Sequence, residues 1–161
     1  MKTITGNLTH VTEGIIVHGC NAKGKMASGV AKDIREVFPS AYDAYMKRYH
    51  EQGLKVGDVV WARIASEKPL AVANAITQES YGRDKSIRYV DYDGLRKAFK
   101  SIGEIARKHS LPVYYPMIGA GLANGDWGII SKIIEEELHD VDHTFYRFEE
   151  PNPLQSKGFR P

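Results

Sequence analysis

Short apolar runs alternate with segments whose apolar residues recur every three or four positions. The apolar runs predict strands at 2–5, 15–18, 59–64, 70–76, 112–116 and 144–148. The helical spacing predicts helices at 30–38, 40–52, 91–108 and 126–138. Ser40 and Asp126 are predicted N-caps, Gly53 is a predicted helix end, and Ile129 is placed on the buried face of the fourth helix.

This alternation predicts an α/β protein with a largely parallel, helix-covered sheet. The nearly continuous apolar run at 15–18 is typical of a strand buried on both faces. Neither a repeat nor a linker interrupts the pattern, so we expect one domain over residues 1–148. Residues 149–161 contain three prolines and no apolar periodicity, and we expect an extended or disordered tail there.

Two Gly-rich stretches, at 17–31 and 117–125, each follow a predicted strand and lead into a predicted helix. Free backbone amides at such loops and helix starts favour anions, and ligands bind at the carboxyl ends of parallel strands. Two facing loops suit an elongated diphosphate better than a single phosphate. Neither stretch has the spacing of the P-loop or dinucleotide pattern, so taken alone either one is equally well a tight turn.

Composition and charge narrow the possible functions. The formal net charge of +2 gives no argument for nucleic-acid or membrane binding, and the basic cluster of 47–48, 55 and 83–85 is interpreted as solvated surface. No apolar run approaches the roughly 18 residues of a membrane span, and no leader is recognised. The single cysteine, Cys20, excludes an internal disulfide, and we expect a cytoplasmic monomer.

Several motifs together resemble the macro domains, which bind ADP-ribose. In chain order they are Gly6-Asn7-Leu8, 18–21, 26–31, 116–122 and Trp127. The similarity is greatest to the branch that holds the ADP-ribose-1″-phosphate phosphatase and the terminal ADP-ribose protein glycohydrolase. It implies a three-layer α/β/α sandwich around a mixed sheet of about six strands. The implied ligand is ADP-ribose or a derivative, free or attached to protein, with neither a cofactor nor a metal.

The resemblance also implies which residues bind the ligand. Asn7 stands where the family usually has an adenine-binding aspartate, Asn21 would bind the distal ribose, and Tyr146 or Phe145 would pack near the adenine. Two loops would enclose the diphosphate from opposite sides. The full binding set is Gly6, Asn7, Leu8, Asn21, Met26, Ala27, Ser28, Gly29, Val30, Ile118, Gly119, Ala120, Gly121, Leu122, Ala123 and Tyr146.

Two departures from the glycohydrolase pattern bear on catalysis. Gln78 and Ala123 stand where that enzyme has its lysine nucleophile and its aspartate. Without the amine and the carboxylate, a Schiff-base route is not available. Asp126 comes three residues later and is interpreted as a helix cap rather than a substitute acid.

His18 and Asn21 are the candidate catalytic residues. The phosphatase-like relatives keep a histidine where His18 stands, and a pKa near 6.5 suits a general acid or base. The alternative is a core histidine that bonds to neighbouring polar groups. Cys20 is interpreted as packed and unreactive, and His139 with His143 as an improbable metal pair.

The resemblance and His18 together predict hydrolysis of ADP-ribose-1″-phosphate. The alternatives are a non-catalytic ADP-ribose-binding module, or a hydrolase that removes ADP-ribose from proteins or acyl groups from O-acyl-ADP-ribose.

Overall fold

The computed structural model describes residues 1–27 and 29–148. The predicted tail and Ser28 lie outside this part of the chain. Six strands and four α-helices follow one another, with a single 3₁₀ turn at Leu8–His10. In chain order they are β1 (Lys2–Gly6), β2 (Gly14–Asn21), α1 (Gly29–Val37), α2 (Pro39–Gln52), β3 (Val59–Arg63), β4 (Leu70–Gln78), α3 (Tyr92–His109), β5 (Val113–Tyr115), α4 (Trp127–Glu137) and β6 (His143–Phe148).

The strands form one mixed sheet in the order β1-β6-β5-β2-β4-β3. All neighbouring pairs are parallel except β3 with β4, which is the hairpin that the short turn between them requires. Helices α3 and α4 pack on one face, against Ile15 and Val17 of β2. Helices α1 and α2 cover the other face, where Ile16 and Cys20 lie. The predicted three-layer α/β/α architecture is confirmed.

Strand β2 lies inside the sheet between β5 and β4, and its apolar run is buried on both faces as predicted. It continues to Asn21, three residues beyond the prediction, so the first Gly-rich stretch begins as strand. The cause is its long parallel pairing with β4, in which Gly19 faces Ala75 and Cys20 faces Ile76. A Cβ at Gly19 would lie 2.9 Å from Thr77 Oγ1, which explains the glycine in this position.

The structure corrects two details of the helices. Ser40 is not an N-cap, because α2 already begins at Pro39 after Phe38, whose side chain makes no capping bond. Proline is favoured in the first helical turn, since its ring fixes φ and the amide hydrogen that it lacks would have no intrahelical partner there. Ile129 is 45% exposed rather than buried, because α4 turns Ile130, Ile133 and Ile134 toward the sheet. Gly53 ends α2 as predicted, at a φ of 75°.

Within the described residues, none of the helices has the length and hydropathy that a bilayer crossing requires.

Candidate ligand-binding cleft

A cleft of about 800 Å³ runs along the carboxyl ends of β6, β5, β2 and β4. Both Gly-rich loops border it, as expected for loops that follow parallel strands. Eleven of the predicted site residues line it: His18, Asn21, Ala27, Gly29, Val30, Ile118, Gly119, Gly121, Leu122, Ala123 and Tyr146. A second cavity of about 580 Å³ lies at the opposite edge, near the amino ends of β2 and β4.

Five predicted residues do not line the cleft. Leu8 and Met26 are 6% and 2% exposed and belong to the core. Asn7 caps the 3₁₀ turn, and its Oδ1 accepts hydrogen bonds from the Thr9 amide at 2.9 Å and the Thr9 hydroxyl at 2.7 Å. Gly6 precedes Asn7, and Ala120 lies between the lining residues Gly119 and Gly121. Neither Gly6 nor Ala120 borders the cleft.

The charged residues that line the cleft in the described part of the chain are all cationic. The lining includes Lys25, Arg83 and Arg147, and no Asp or Glu belongs to the lining within the described residues. Three cations without a carboxylate attract anions and repel divalent metals. No group of three His, Cys, Asp or Glu side chains suited to a metal ion occurs in the described ranges.

Asn21 shapes the first loop. Its Nδ2 donates to the Lys25 carbonyl at 2.8 Å, and its Oδ1 accepts from the Lys23 amide at 3.0 Å. The buried Tyr45 hydroxyl donates to the Asn21 carbonyl at 2.6 Å and anchors the end of β2 to α2. With 8% of its surface exposed, Asn21 holds the turn at 22–25 in place under the cleft.

The second loop is held by its own backbone. Gly119 has a φ of 76°, and its carbonyl accepts from the Gly125 amide at 2.7 Å. A Cβ at Gly119 would lie 2.7 Å from Val90 Cγ2, whereas one at Gly121 would meet nothing within 4 Å. Gly121 therefore faces the open cleft, and Gly119 packs against the core.

His18 lies on the α2 side of the sheet and is 1% exposed. Its Nε2 is 2.5 Å from Asn74 Oδ1, while Asn74 Nδ2 donates to the carbonyls of Ala41 and Val60, each at 3.1 Å. Because an amide oxygen only accepts, His18 carries its proton on Nε2. Burial lowers the pKa of His18 to about 4, so the ring is neutral at pH 7. This environment favours the buried, hydrogen-bonded alternative.

Cys20 is 4% exposed, and burial raises the pKa of its thiol. The thiolate is therefore strongly disfavoured, in keeping with a packed, unreactive side chain.

At the adenine end proposed from the sequence, two aromatic residues of β6 differ in availability. Phe145 is 4% exposed and packs on Trp127 with ring centroids 4.8 Å apart. Tyr146 is partly exposed and meets Tyr114 edge to face. Phe148 follows on the same strand and is 62% exposed.

Three further residues that line the cleft are not among the site residues predicted from the sequence. Tyr81 and Arg83 come from the loop after β4, and Arg147 from β6. The sequence predicts Arg83 as part of a solvated surface cluster, because charge patterns along a sequence do not reveal which loops meet. The position of its loop after a strand was the one signal that pointed to the cleft.

A doubly covered, mostly parallel sheet with an anion-attracting cleft at its carboxyl edge is the arrangement of an α/β ligand-binding domain. Residues 17–134 match the family model of the macro domain, so the chain belongs to the macro domain family.

Relatives of known name or structure agree with this assignment. The chain is 27% identical over 143 residues to a DNA ADP-ribosyl glycohydrolase from Thermus aquaticus, covering 88% of this chain and 39% of that protein. It thus spans about two fifths of the length of that relative. It is 30% identical over 125 residues to an uncharacterized 17.5 kDa protein of phage T4, covering 74% of this chain and 77% of that one.

Solved structures show the same fold. A Bacteroides thetaiotaomicron protein of unknown function superposes with a TM-score of 0.81 at 28% identity, covering 91% of this chain and 96% of that one. The macrodomain of Thermus aquaticus DarG gives 0.75 at 20% identity, covering 93% and 97%.

Proposed function

We propose that this macro domain binds ADP-ribose, with the ligand extended along the cleft. The observation that carries this is the lining of three cations, with no carboxylate among the described lining residues, between two Gly-rich loops at the ends of adjacent strands. Such a lining suits a diphosphate, whose oxygens accept bonds from loop amides. The enzyme name of the Thermus aquaticus relative, which refers to an ADP-ribosyl group, supports the same ligand.

In this arrangement the adenine lies near the partly exposed Tyr146 and the exposed Phe148 of β6. The diphosphate lies between the loop at 26–30 and the loop at 118–123. The distal ribose then reaches the ends of β2 and β4, where Asn21 is paired with Gln78 in the sheet.

Titration calorimetry with ADP-ribose tests this function. We expect a Kd of roughly 1 μM, which corresponds to about −8 kcal/mol. AMP and ribose 5-phosphate, each of which fills half of the cleft, should bind more weakly. Undetectable ADP-ribose binding by folded protein would rule out the proposal.

The finer proposal is hydrolysis of ADP-ribose-1″-phosphate to ADP-ribose and phosphate. Gln78 and Ala123 both line the cleft and offer neither an amine nor a carboxylate, which disfavours the lysine-dependent glycohydrolase route. The three cations among the described lining residues favour a phosphomonoester dianion. In this reaction water attacks phosphorus and gives a proton to the unprotonated Nδ1 of the neutral His18 ring, the bond from phosphorus to the 1″ oxygen breaks, and the ribose oxygen takes that proton from Nδ1. His18 Nδ1 is the ring nitrogen available for proton transfer, because Nε2 donates to Asn74.

Phosphate release by wild type and His18→Gln tests the role of His18. The glutamine amide retains a donor for Asn74, so the fold is preserved, and release should fall about 100-fold if His18 transfers the proton. Unchanged release would remove His18 from the reaction. ADP-ribose release from modified protein or DNA, without phosphate release, would instead favour a glycohydrolase, and binding without turnover of any of these compounds would favour a recruitment module.

A further inference from the structure

The loop after β4 brings a cation to the end of the cleft that lies farthest from β6. Tyr81, Gly82 and Arg83 line the wall there, next to Gln78 at the end of the strand. Arg83 is exposed and forms neither an ion pair nor a side-chain hydrogen bond with any described residue. Its charge is therefore available to a ligand.

The backbone on both sides of Arg83 is fixed. A Cβ at Gly82 would lie 2.3 Å from the Tyr89 hydroxyl, so the backbone packs closely against this side chain. The Asp84 amide donates to the same hydroxyl at 3.3 Å. Asn124 Nδ2 donates to the Asp84 carbonyl at 3.0 Å and so ties this loop to the second Gly-rich loop. Arg83 thus projects from a backbone that needs little ordering when a ligand binds.

A second cation borders the cleft from the neighbouring strand. Lys25 follows β2, and its carbonyl is held by Asn21 Nδ2 at 2.8 Å. Strands β2 and β4 are adjacent and parallel, so Lys25 and Arg83 extend from neighbouring strand ends. Glu79, a carboxylate on the same loop as Arg83, is paired with Lys23 at 3.3 Å and does not neutralise either residue.

We propose that Arg83, together with Lys25, forms a subsite for an anionic group attached to C1″ of the bound ADP-ribose, namely a terminal phosphate. The inference rests on the proposed function, because the aromatic end of the cleft at β6 must take the adenine for C1″ to reach β4. A planar guanidinium donates two parallel hydrogen bonds to phosphate oxygens, which a lysine or glutamine does not reproduce. Arg83 is then the residue that distinguishes phosphorylated from unphosphorylated ADP-ribose.

Calorimetry with two ligands tests the subsite without turnover. One ligand is ADP-ribose, and the other is its C-glycosidic 1″-phosphonate, which carries the terminal charge but has no ester bond at C1″ to hydrolyse. Wild type should bind the phosphonate about tenfold or more tightly than ADP-ribose, as one charge-assisted bidentate contact provides. Arg83→Gln should abolish most of this ratio and should weaken phosphonate binding by a larger factor than ADP-ribose binding, which loses only one of the three cations that line the cleft. Lys85→Gln is the matched control, since it removes an exposed cation from the same loop that does not line the cleft.

The outcomes separate the two proposals. Equal affinity of wild type for both ligands would overturn the subsite while leaving ADP-ribose binding intact. An equal effect of Arg83→Gln and Lys85→Gln would also overturn it, because it would show only long-range attraction. If Arg83→Gln weakens both ligands equally, Arg83 contacts the diphosphate instead. Failure of wild type to bind ADP-ribose would refute the proposed function itself.

Discussion

Two glycines in one loop, Gly119 and Gly121, offer a sharp test of how the cleft is built. Replacing either by alanine adds a single methyl group. At Gly119 the φ of 76° and the contact with Val90 make the added group costly to the fold. At Gly121 the added group enters open space at the cleft wall, with no backbone strain.

The magnitudes follow from these surroundings. A left-handed conformation costs a residue with a Cβ roughly 1–2 kcal/mol, and overpacking a close-packed core costs about 1–3 kcal/mol. Val90 and Ile130, which an alanine at 119 would contact, are 1% and 0% exposed, so neither side chain has room to move. Gly119→Ala should therefore lower the free energy of unfolding by about 2–5 kcal/mol. Gly121→Ala should leave it within about 0.5 kcal/mol.

Binding should show the reverse order of effects. Gly121→Ala places a methyl group where the ligand approaches the loop, and ADP-ribose affinity should fall by about tenfold or more, corresponding to a steric penalty of about 1–3 kcal/mol. Urea unfolding and calorimetry on both variants measure the two quantities. A stable Gly119→Ala protein would refute the packing argument. Wild-type ADP-ribose affinity in Gly121→Ala would show that this wall does not contact the ligand.

The remaining predictions concern His18 and Asp126. The folded pKa of His18, about 4, lies below its ordinary 6.5. The unfolded chain therefore takes up a proton between these values that the folded chain does not. The contribution of the neutral His18 ring to the free energy of unfolding is complete above pH 6.5 and is lost as the pH falls toward 4, by up to about 3 kcal/mol. His18→Gln should flatten the urea-derived stability curve over that interval; an identical slope would contradict the assignment. Asp126 Oδ1 accepts from the Ile129 amide at 3.2 Å, so Asp126→Ala should lower stability by about 1 kcal/mol and Asp126→Asn by less. Loss of phosphate release in a stable Asp126→Asn protein would instead identify an acid.

Local patterns were sufficient for much of the architecture. The strand at 15–18 and the helix at 91–108 were recognisable because their periodicity is contained in the segment itself. The N-cap role of Asp126 also followed from sequence, since capping depends on neighbouring residues. The prediction failed at Ser40, where Pro39 begins the helix one residue earlier, and at Ile129, because the rotation of a helix depends on what covers it.

The site was predicted unevenly for the same reason. The Gly-rich loops were placed at one sheet edge because parallel strands end together. That Arg83 and Lys25 line the same cleft was not recognisable, because they are far apart in sequence and only the pairing of β2 with β4 places the ends of their strands next to each other. Likewise, a strand pattern shows that His18 alternates with its neighbours but not that Asn74 lies opposite it.

The sequence by itself therefore determined the order of strands and helices, the α/β class and the sheet edge at which the two Gly-rich loops lie, since these follow from short-range periodicity and turn chemistry. Only the tertiary structure decided that His18 is buried as a neutral ring against Asn74 and that the cleft carries cations without a carboxylate in its described lining. Both depend on burial and on contacts between distant segments, which set the local dielectric and the local charge.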